Sequence, residues 1–253
     1  MIKPRTTIVL YIIVLIQVYL FLPWKGIFFI VISLLYLIHL VYCSTSICSQ
    51  AYIKTLCKAD TTEKKIAITF DDGPDSEITP KVLEILDQYN AKATFFCIGK
   101  HIENNEDLIK MIDKKGHLIG NHTWTHDRWF DLFSAKKMKA EIEKTSGLLF
   151  EIINKKIKLF RPPYGVTNPN LKKAIKDNDF YTIGWSLRSL DTMNNTQKTL
   201  KRLKNKLSSG DIILFHDNRE HIVDILKDFL EYTKKEGFEI VPLAQLLNIK
   251  AYE

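Results

Sequence analysis

At 253 residues the chain has room for one ordinary domain and an appendage, and its net charge of +7 comes from 36 Lys and Arg against 29 Asp and Glu. That excess suits a Lys-rich solvated surface or attraction to anionic lipid or an acidic polymer, but no run interleaves bases with aromatics, so nucleic acid is set aside as a partner. Its 4 cysteines include no Cys-x-x-Cys pair, which argues against a thiol metal site.

The 46% of hydrophobic residues is concentrated at the N-terminus. Residues 6–43 hold Lys25 as their only charge, and Pro23-Trp24-Lys25-Gly26 splits them into two apolar runs of 17 residues each. At about 1.5 Å per residue each run spans roughly 25 Å, slightly short for a bilayer core but within the tolerated range. Pro, Trp, Lys and Gly together suit a turn at headgroup level. Residues 1–43 therefore read as a membrane anchor of two short transmembrane helices. A cleaved signal peptide is the rival, and the length of the stretch and its lack of a small-residue cleavage site weigh against that. A lipid-attachment role for Cys43 is disfavoured by the bulky Tyr42 before it. Residues 44–63 read as a polar linker, in which Cys48 and Cys57 can pair if the segment faces an oxidising compartment. Lys3 and Arg5 oppose Lys25 in setting orientation, so charge alone leaves the topology nearly balanced.

From residue 64 onward short apolar runs alternate with amphipathic ones. Strands are expected at 66–70, 93–98, 117–120, 157–160, 180–184, 211–215 and 238–241. Helices are expected at 76–90, 102–115, from Ser134 onward, and at 168–177, 196–207 and 221–235. Such alternation argues for a parallel α/β fold, and the strand count for a barrel.

Five polar clusters come directly after strands: FDDGPD at 70–75, NHTWTH at 121–126, FRPPYG at 160–165, WSLRSLD at 185–191 and LFHD at 214–217. In a parallel barrel these strand ends converge on one face. His122 and His126 stand four apart, so on a helical turn both imidazoles share a face and can share a metal. An acid from another strand end completes a two-His, one-carboxylate set that leaves a position for water. Asp71 and Asp72 are the two candidates. Neighbours in extended chain point opposite ways, so one can bind the metal while the other meets the substrate. Arg161 supplies a fixed charge to orient a carboxylate, and His216 opposite a water site is a natural general acid.

These motifs, in this order and spacing, give residues 64–250 a resemblance to the polysaccharide deacetylases, the NodB-homology or carbohydrate esterase family 4 group. KATFFCIG and GHLIGNHT also resemble that family's flanking strands. The resemblance implies a distorted (β/α)₇ barrel and one divalent metal ion, commonly zinc. It further implies Asp71 as general base, Asp72, His122 and His126 as metal ligands, and Arg161 as the residue that holds Asp71. The Tyr164 N–H would help bind the oxyanion, Leu214 would line the acetyl pocket, and His216 would be the acid, supported by Asp191. The fourth motif departs from the family pattern, because Arg188 replaces its first acid and Thr192 its Trp. That puts the shape of the substrate groove in doubt, and Arg188 is expected to face the glycan.

The implied activity is hydrolytic N-deacetylation of N-acetylated amino sugars in a surface glycan, peptidoglycan first and another N-acetylglucosamine polymer second. O-acetyl ester hydrolysis, deacylation of a lipid-linked sugar and a catalytically inactive glycan-binding module are the alternatives. A surface substrate requires the catalytic domain on the extracytoplasmic side, hence both termini outside and the Pro23–Gly26 turn inside.

Overall fold

The computed structural model of the protein describes residues 4–21 and 25–253. Helices α1 (Pro4–Phe21) and α2 (Lys25–Thr45) pack side by side, with the Tyr11 and Tyr36 rings stacked 4.4 Å apart and the Tyr11 and Ser33 hydroxyls 2.9 Å apart. Lys3, Pro23 and Trp24, on which part of the expected topology turned, lie outside the described residues. Within α2, Gly26–Thr45 is long and apolar enough to cross a membrane, with a mean hydropathy of 2.4, whereas the apolar stretch of α1, Thr6–Phe21, is shorter. Of the two helices on which a pair of spans was expected, one therefore has the length and composition of a span and the other is shorter. Large side chains such as Ile30 and Phe21 stand exposed on this pair, as they do on a helix whose solvent is lipid.

Residues 44–63 are not the free linker that their polarity suggested. A 3-10 turn at Ile47–Ser49 follows α2, strand β1 (Thr55–Leu56) joins the sheet, and a disulfide links Cys48 to Cys57. Thr167 N–H donates to the Ser44 carbonyl at 2.9 Å, and Ile47 packs onto Gly165 and Gly184. A few apolar residues, Ile47, Ile53 and Leu56, are enough to fold this segment down, because it covers an otherwise unpaired strand edge.

The remaining elements largely alternate as expected, with α4, β7 and α10 unforeseen: β2 (Lys65–Asp71), α3 (Ile78–Gln88), β3 (Ala93–Cys97), α4 (Gly99–Ile102), α5 (Glu106–Lys114), β4 (Leu118–Asn121), α6 (Ala135–Ile153), β5 (Leu159–Phe160), α7 (Pro169–Ala174), β6 (Tyr181–Ile183), β7 (Leu187–Arg188), α8 (Thr196–Lys206), β8 (Ile212–His216), α9 (Ile222–Lys235), β9 (Glu239–Ile240) and α10 (Leu243–Leu247). Side-chain caps begin several helices. Ser134 Oγ accepts from Lys137 N, Asn168 Oδ1 from Leu171 N and Asn195 Oδ1 from Lys198 N, each meeting an amide that the first turn leaves free. Asp75, the third acid of the FDDGPD cluster, plays this part for α3, accepting from Glu77 N and Ile78 N.

All named strand pairs are parallel, in the order β1-β6-β5-β4-β3-β2-β8-β7, with β9 beside β2. The sheet curls as a distorted (β/α)₇ barrel, and among the described residues no ladder joins β7 to β1. Central strands β3 and β8 are buried along their whole length, which is why they read as continuous apolar runs. Outward residues such as Ile68, Phe70, Phe95 and Phe215 pack beneath the surrounding helices. Ala67, Phe96, Leu159, Ile183 and Ile212 form a second cluster, to which α10 contributes Leu243.

Candidate active site and metal centre

Alternation along β2 separates Ala67, Thr69 and Asp71 from the outward Ile66, Ile68 and Phe70, and along β8 it groups Ile212 with Leu214 and His216. The register sets Thr69 against Leu214 and Asp71 against His216 at the C-terminal ends of the two strands. Arg161, after β5, is 0% exposed. Its Nη1 donates to Asp71 Oδ1 at 2.6 Å and Thr69 Oγ1 at 2.9 Å, its Nη2 to the Gly184 carbonyl at 2.9 Å, and its Nε to the Ile183 carbonyl at 3.2 Å. The guanidinium also lies 4.1 Å from the Phe96 ring centre. Burial pulls the Arg161 pKa down, and the Asp71 charge opposes that. Asp71 is thus clamped through Oδ1, and its Oδ2 lies 3.8 Å from His122 Nε2.

Asp72 does not point away from Asp71 as strand alternation predicts. Its φ of +73° turns the chain back, so its Oδ1 comes within 3.5 Å of His122 Nε2 and 3.6 Å of His126 Nε2. Gly73 makes this turn possible, since a Cβ there would sit 2.4 Å from the Asp217 carboxylate. The two histidines are not on a helical turn either. Thr123 and His126 have φ of +66° and +48°, and the Thr123 and Trp124 carbonyls accept from Gly99 N and Lys100 N at the start of α4. Capping another helix replaces the intrasegment bonds that a helix would need. The loop still sets the two rings 4.8 Å apart, and one ligand atom from each of Asp72, His122 and His126 lies within 4.8 Å of the others.

The donor set fits a divalent cation. His122 Nδ1 lies 2.8 Å from the Arg161 carbonyl, which can only accept, so Nδ1 carries the proton and Nε2 keeps its lone pair for a metal. Burial, with His122 alongside, pushes the His126 pKa down to about 4, so its imidazole is neutral as a ligand must be. Burial alone would raise the Asp72 pKa, but hydrogen bonding to His122 and the surrounding histidines outweigh it, and the group stays a carboxylate.

His216 faces this set from β8. Its Nδ1 lies 2.9 Å from Asp191 Oδ1 and its backbone N–H donates to Asp191 Oδ2 at 2.8 Å. Burial works against a charged imidazole, but the Asp191 hydrogen bond and charge prevail and raise the His216 pKa. The pocket therefore presents a carboxylate clamped by an arginine and an imidazole clamped by a carboxylate.

Asp71, Asp72, His122, His126 and His216 line one pocket of about 220 Å³ together with Tyr164, Leu214 and Arg188. Tyr164 adopts φ +58°, costly for a tyrosine, inside the 3-10 turn Pro163–Gly165, and its ring meets His126 edge-on at 4.7 Å. All ten residues singled out from the sequence thus lie in or directly behind this pocket, Arg161 and Asp191 being the two behind. Trp185 and Thr192, both noted in the fourth motif but given no role from the sequence, also line it. Trp185 lies over Gly165, whose φ is +70° and where a Cβ would come 2.5 Å from the ring. Sequence reasoning missed the supports of the histidine loop. Asn121 Oδ1 accepts from Thr123 N at 2.8 Å, and Glu141 of α6 accepts from both the N–H and hydroxyl of Thr125. Asn121 stood in the quoted motif beside His122. Glu141 carries no local signal, because its role exists only once α6 packs on the loop.

Comparison with known proteins agrees with this geometry. Residues 58–183 match the family model for polysaccharide deacetylase. A peptidoglycan-N-acetylglucosamine deacetylase of Bacillus cereus is 38% identical over 197 residues, covering 74% of this chain and 90% of that protein. The crystal structure of the Bc1960 peptidoglycan N-acetylglucosamine deacetylase superposes with a TM-score of 0.74 at 29% identity, covering 79% of this chain and 95% of that one. BA3943 of Bacillus anthracis, a family 4 pseudoenzyme, superposes with a TM-score of 0.71 at 25% identity, covering 78% of this chain and 70% of that one. The fold alone therefore does not carry activity, and the side chains of the site must.

Proposed function

The chain belongs to the polysaccharide deacetylase family and is a hydrolase of polysaccharide amide bonds, and from that premise we propose that it removes acetate from N-acetylated amino sugars of the cell-wall glycan with one divalent cation, zinc, as cofactor. The observation that carries this reading is that base and acid candidates are each clamped by a partner of opposite charge, Asp71 by Arg161 and His216 by Asp191, in the same pocket as the three-ligand cluster. A glycan-binding module has no use for that combination.

The cation held by Asp72, His122 and His126 would polarise the amide carbonyl and acidify a water molecule. Asp71 accepts the proton of the attacking water, and Arg161 keeps its carboxylate aimed at the site. The backbone N–H of Tyr164 donates to the developing oxyanion, a contribution of roughly 10²–10³ in rate for such a donor. Leu214 receives the acetyl methyl. His216 gives its proton to the departing sugar amine, a leaving group that cannot leave as an anion. An O-acetyl ester needs that proton less, since an alkoxide leaves more readily, so the clamped His216–Asp191 pair favours the amide. Acetate release from an N-acetylglucosamine oligomer tests the reading: it should stop with a chelator and return with added zinc. Chelator-insensitive release, or none under any metal, would reject it.

The apolar helices and the glycan substrate support a membrane-anchored enzyme with its catalytic domain on the extracytoplasmic side. The Cys48–Cys57 disulfide suits that side, because reducing compartments keep thiols free. Cys43 and Cys97 are buried, so a membrane-impermeant maleimide added to intact cells should label the chain only after a reductant has opened the disulfide. Labelling without reductant, or none with it, would contradict this topology.

A further inference from the structure

Arg188 ends β7, beside Leu214 of β8, and its side chain lines the reaction pocket. The acids near it are already engaged: Asp71 with Arg161, Asp191 with His216, and Asp72 with His122 and His126. Arg188 is not. Among the described residues its guanidinium forms no ion pair and no hydrogen bond, and its Nε is buried without an acceptor. A second guanidinium stands behind it, with Arg202 Nε donating to the Arg188 carbonyl at 2.8 Å. Buried donors of charged groups are normally paired, so an unpaired one at a pocket wall points to a partner that arrives from outside.

A sugar hydroxyl could accept one hydrogen bond from Arg188 but would leave its charge unopposed. An oxyanion answers both, and the planar guanidinium matches its two oxygens. We propose that Arg188 reads an anionic group carried by the substrate close to the reacting N-acetyl, so that the enzyme prefers an acidic N-acetylated sugar to a neutral one. In a wall glycan the lactyl carboxylate of N-acetylmuramic acid supplies such a group wherever no stem peptide is amide-bonded to it, and a phosphate on N-acetylglucosamine is the other source of the same chemistry. The inference rests on the deacetylase reading and adds its substrate class. It also gives a purpose to the departure in the fourth motif, where a cation stands in place of the acid of the family pattern.

The test compares kcat/KM of the zinc-loaded full chain on a muramic-acid-containing oligosaccharide, on its carboxyl methyl ester, and on an N-acetylglucosamine oligomer with and without a phosphate. The free acid should exceed its ester by about tenfold to hundredfold, the span of one hydrogen-bonded charge, with the difference mainly in KM. Arg188→Gln should bring that ratio close to one, whereas Arg188→Lys should keep part of it. A phosphate preference without a carboxylate preference assigns the site to the phosphorylated sugar. Equal kcat/KM for each charged and uncharged pair, or ratios unchanged in Arg188→Gln, overturns the proposal. If nothing is turned over, the deacetylase reading has failed, and equilibrium binding of the same pairs decides Arg188 independently: equal affinities in the original chain and in Arg188→Gln overturn it.

Discussion

Replacing His126 by alanine is expected to abolish both metal retention and acetate release while leaving the barrel folded. His126 sits on a loop with its side chain 15% exposed, and no element of the sheet depends on it. Its loss leaves Asp72 and His122, one carboxylate and one imidazole, too few protein ligands for a catalytic zinc site. Asp71→Asn should separate chemistry from metal binding. The amide oxygen still accepts from Arg161, but the proton acceptor is gone, so kcat should fall by about 10²–10⁴ with one metal per chain retained. Equilibrium dialysis against zinc, with circular dichroism as a check on folding, reads both variants. Stoichiometric zinc in His126→Ala refutes the ligand assignment, and loss of zinc in Asp71→Asn makes that residue a ligand instead of a base.

Why these residues could be found in the sequence, and others could not, follows from the range of the physics involved. Two carboxylates at the tip of Ile66–Phe70 are legible because apolar alternation marks a strand and its end is sharp. His216 is legible for the same reason after Ile212–Phe215. The parallel barrel follows from strand–helix alternation, and the strands at 93–97 and 212–216 fall where expected. What failed was orientation within loops. The spacing of His122 and His126 suggested a helical turn, yet the chain brings the rings together by left-handed residues and by lending two carbonyls to α4. Asp71 and Asp72 converge because Asp72 leaves the extended region, which a residue-by-residue period cannot foresee. The strands β1 and β7 went unforeseen, and the helix expected at 102–115 begins only at Glu106, preceded by the separate short α4 at Gly99–Ile102. For β1, β7 and the histidine loop the deciding bonds are made by residues distant in sequence.

Asp191→Asn is expected to lower kcat by about 10²-fold or more near neutral pH and to move its alkaline limit to lower pH. Asp191 is 1% exposed and only accepts: Oδ1 takes the Ser189 hydroxyl at 2.7 Å, His216 Nδ1 at 2.9 Å and Thr192 N at 3.2 Å, and Oδ2 takes His216 N at 2.8 Å. An asparagine must turn an NH₂ toward one of these donors, so either the imidazole or the backbone of β8 loses its partner. The charge matters more. Burial works to strip the proton from His216, and the hydrogen bond and charge of Asp191 hold it on, leaving the pKa above that of an ordinary histidine. Protonated His216 is the form that donates to the leaving amine, so activity falls as pH rises through that pKa. Without the carboxylate, burial is the largest remaining influence and drives the pKa down, and the decline begins at lower pH. Nearby charges from Asp71 and Asp72 act in the same sense as Asp191 but lie farther down the order of influence, so they soften the shift without cancelling it. Zinc content should be unchanged, since Asp191 touches none of the three ligands. A merely structural role for Asp191 would lower activity at every pH alike. An alkaline limb that stays in place therefore means that His216 is not tuned by Asp191, and that another group supplies the proton.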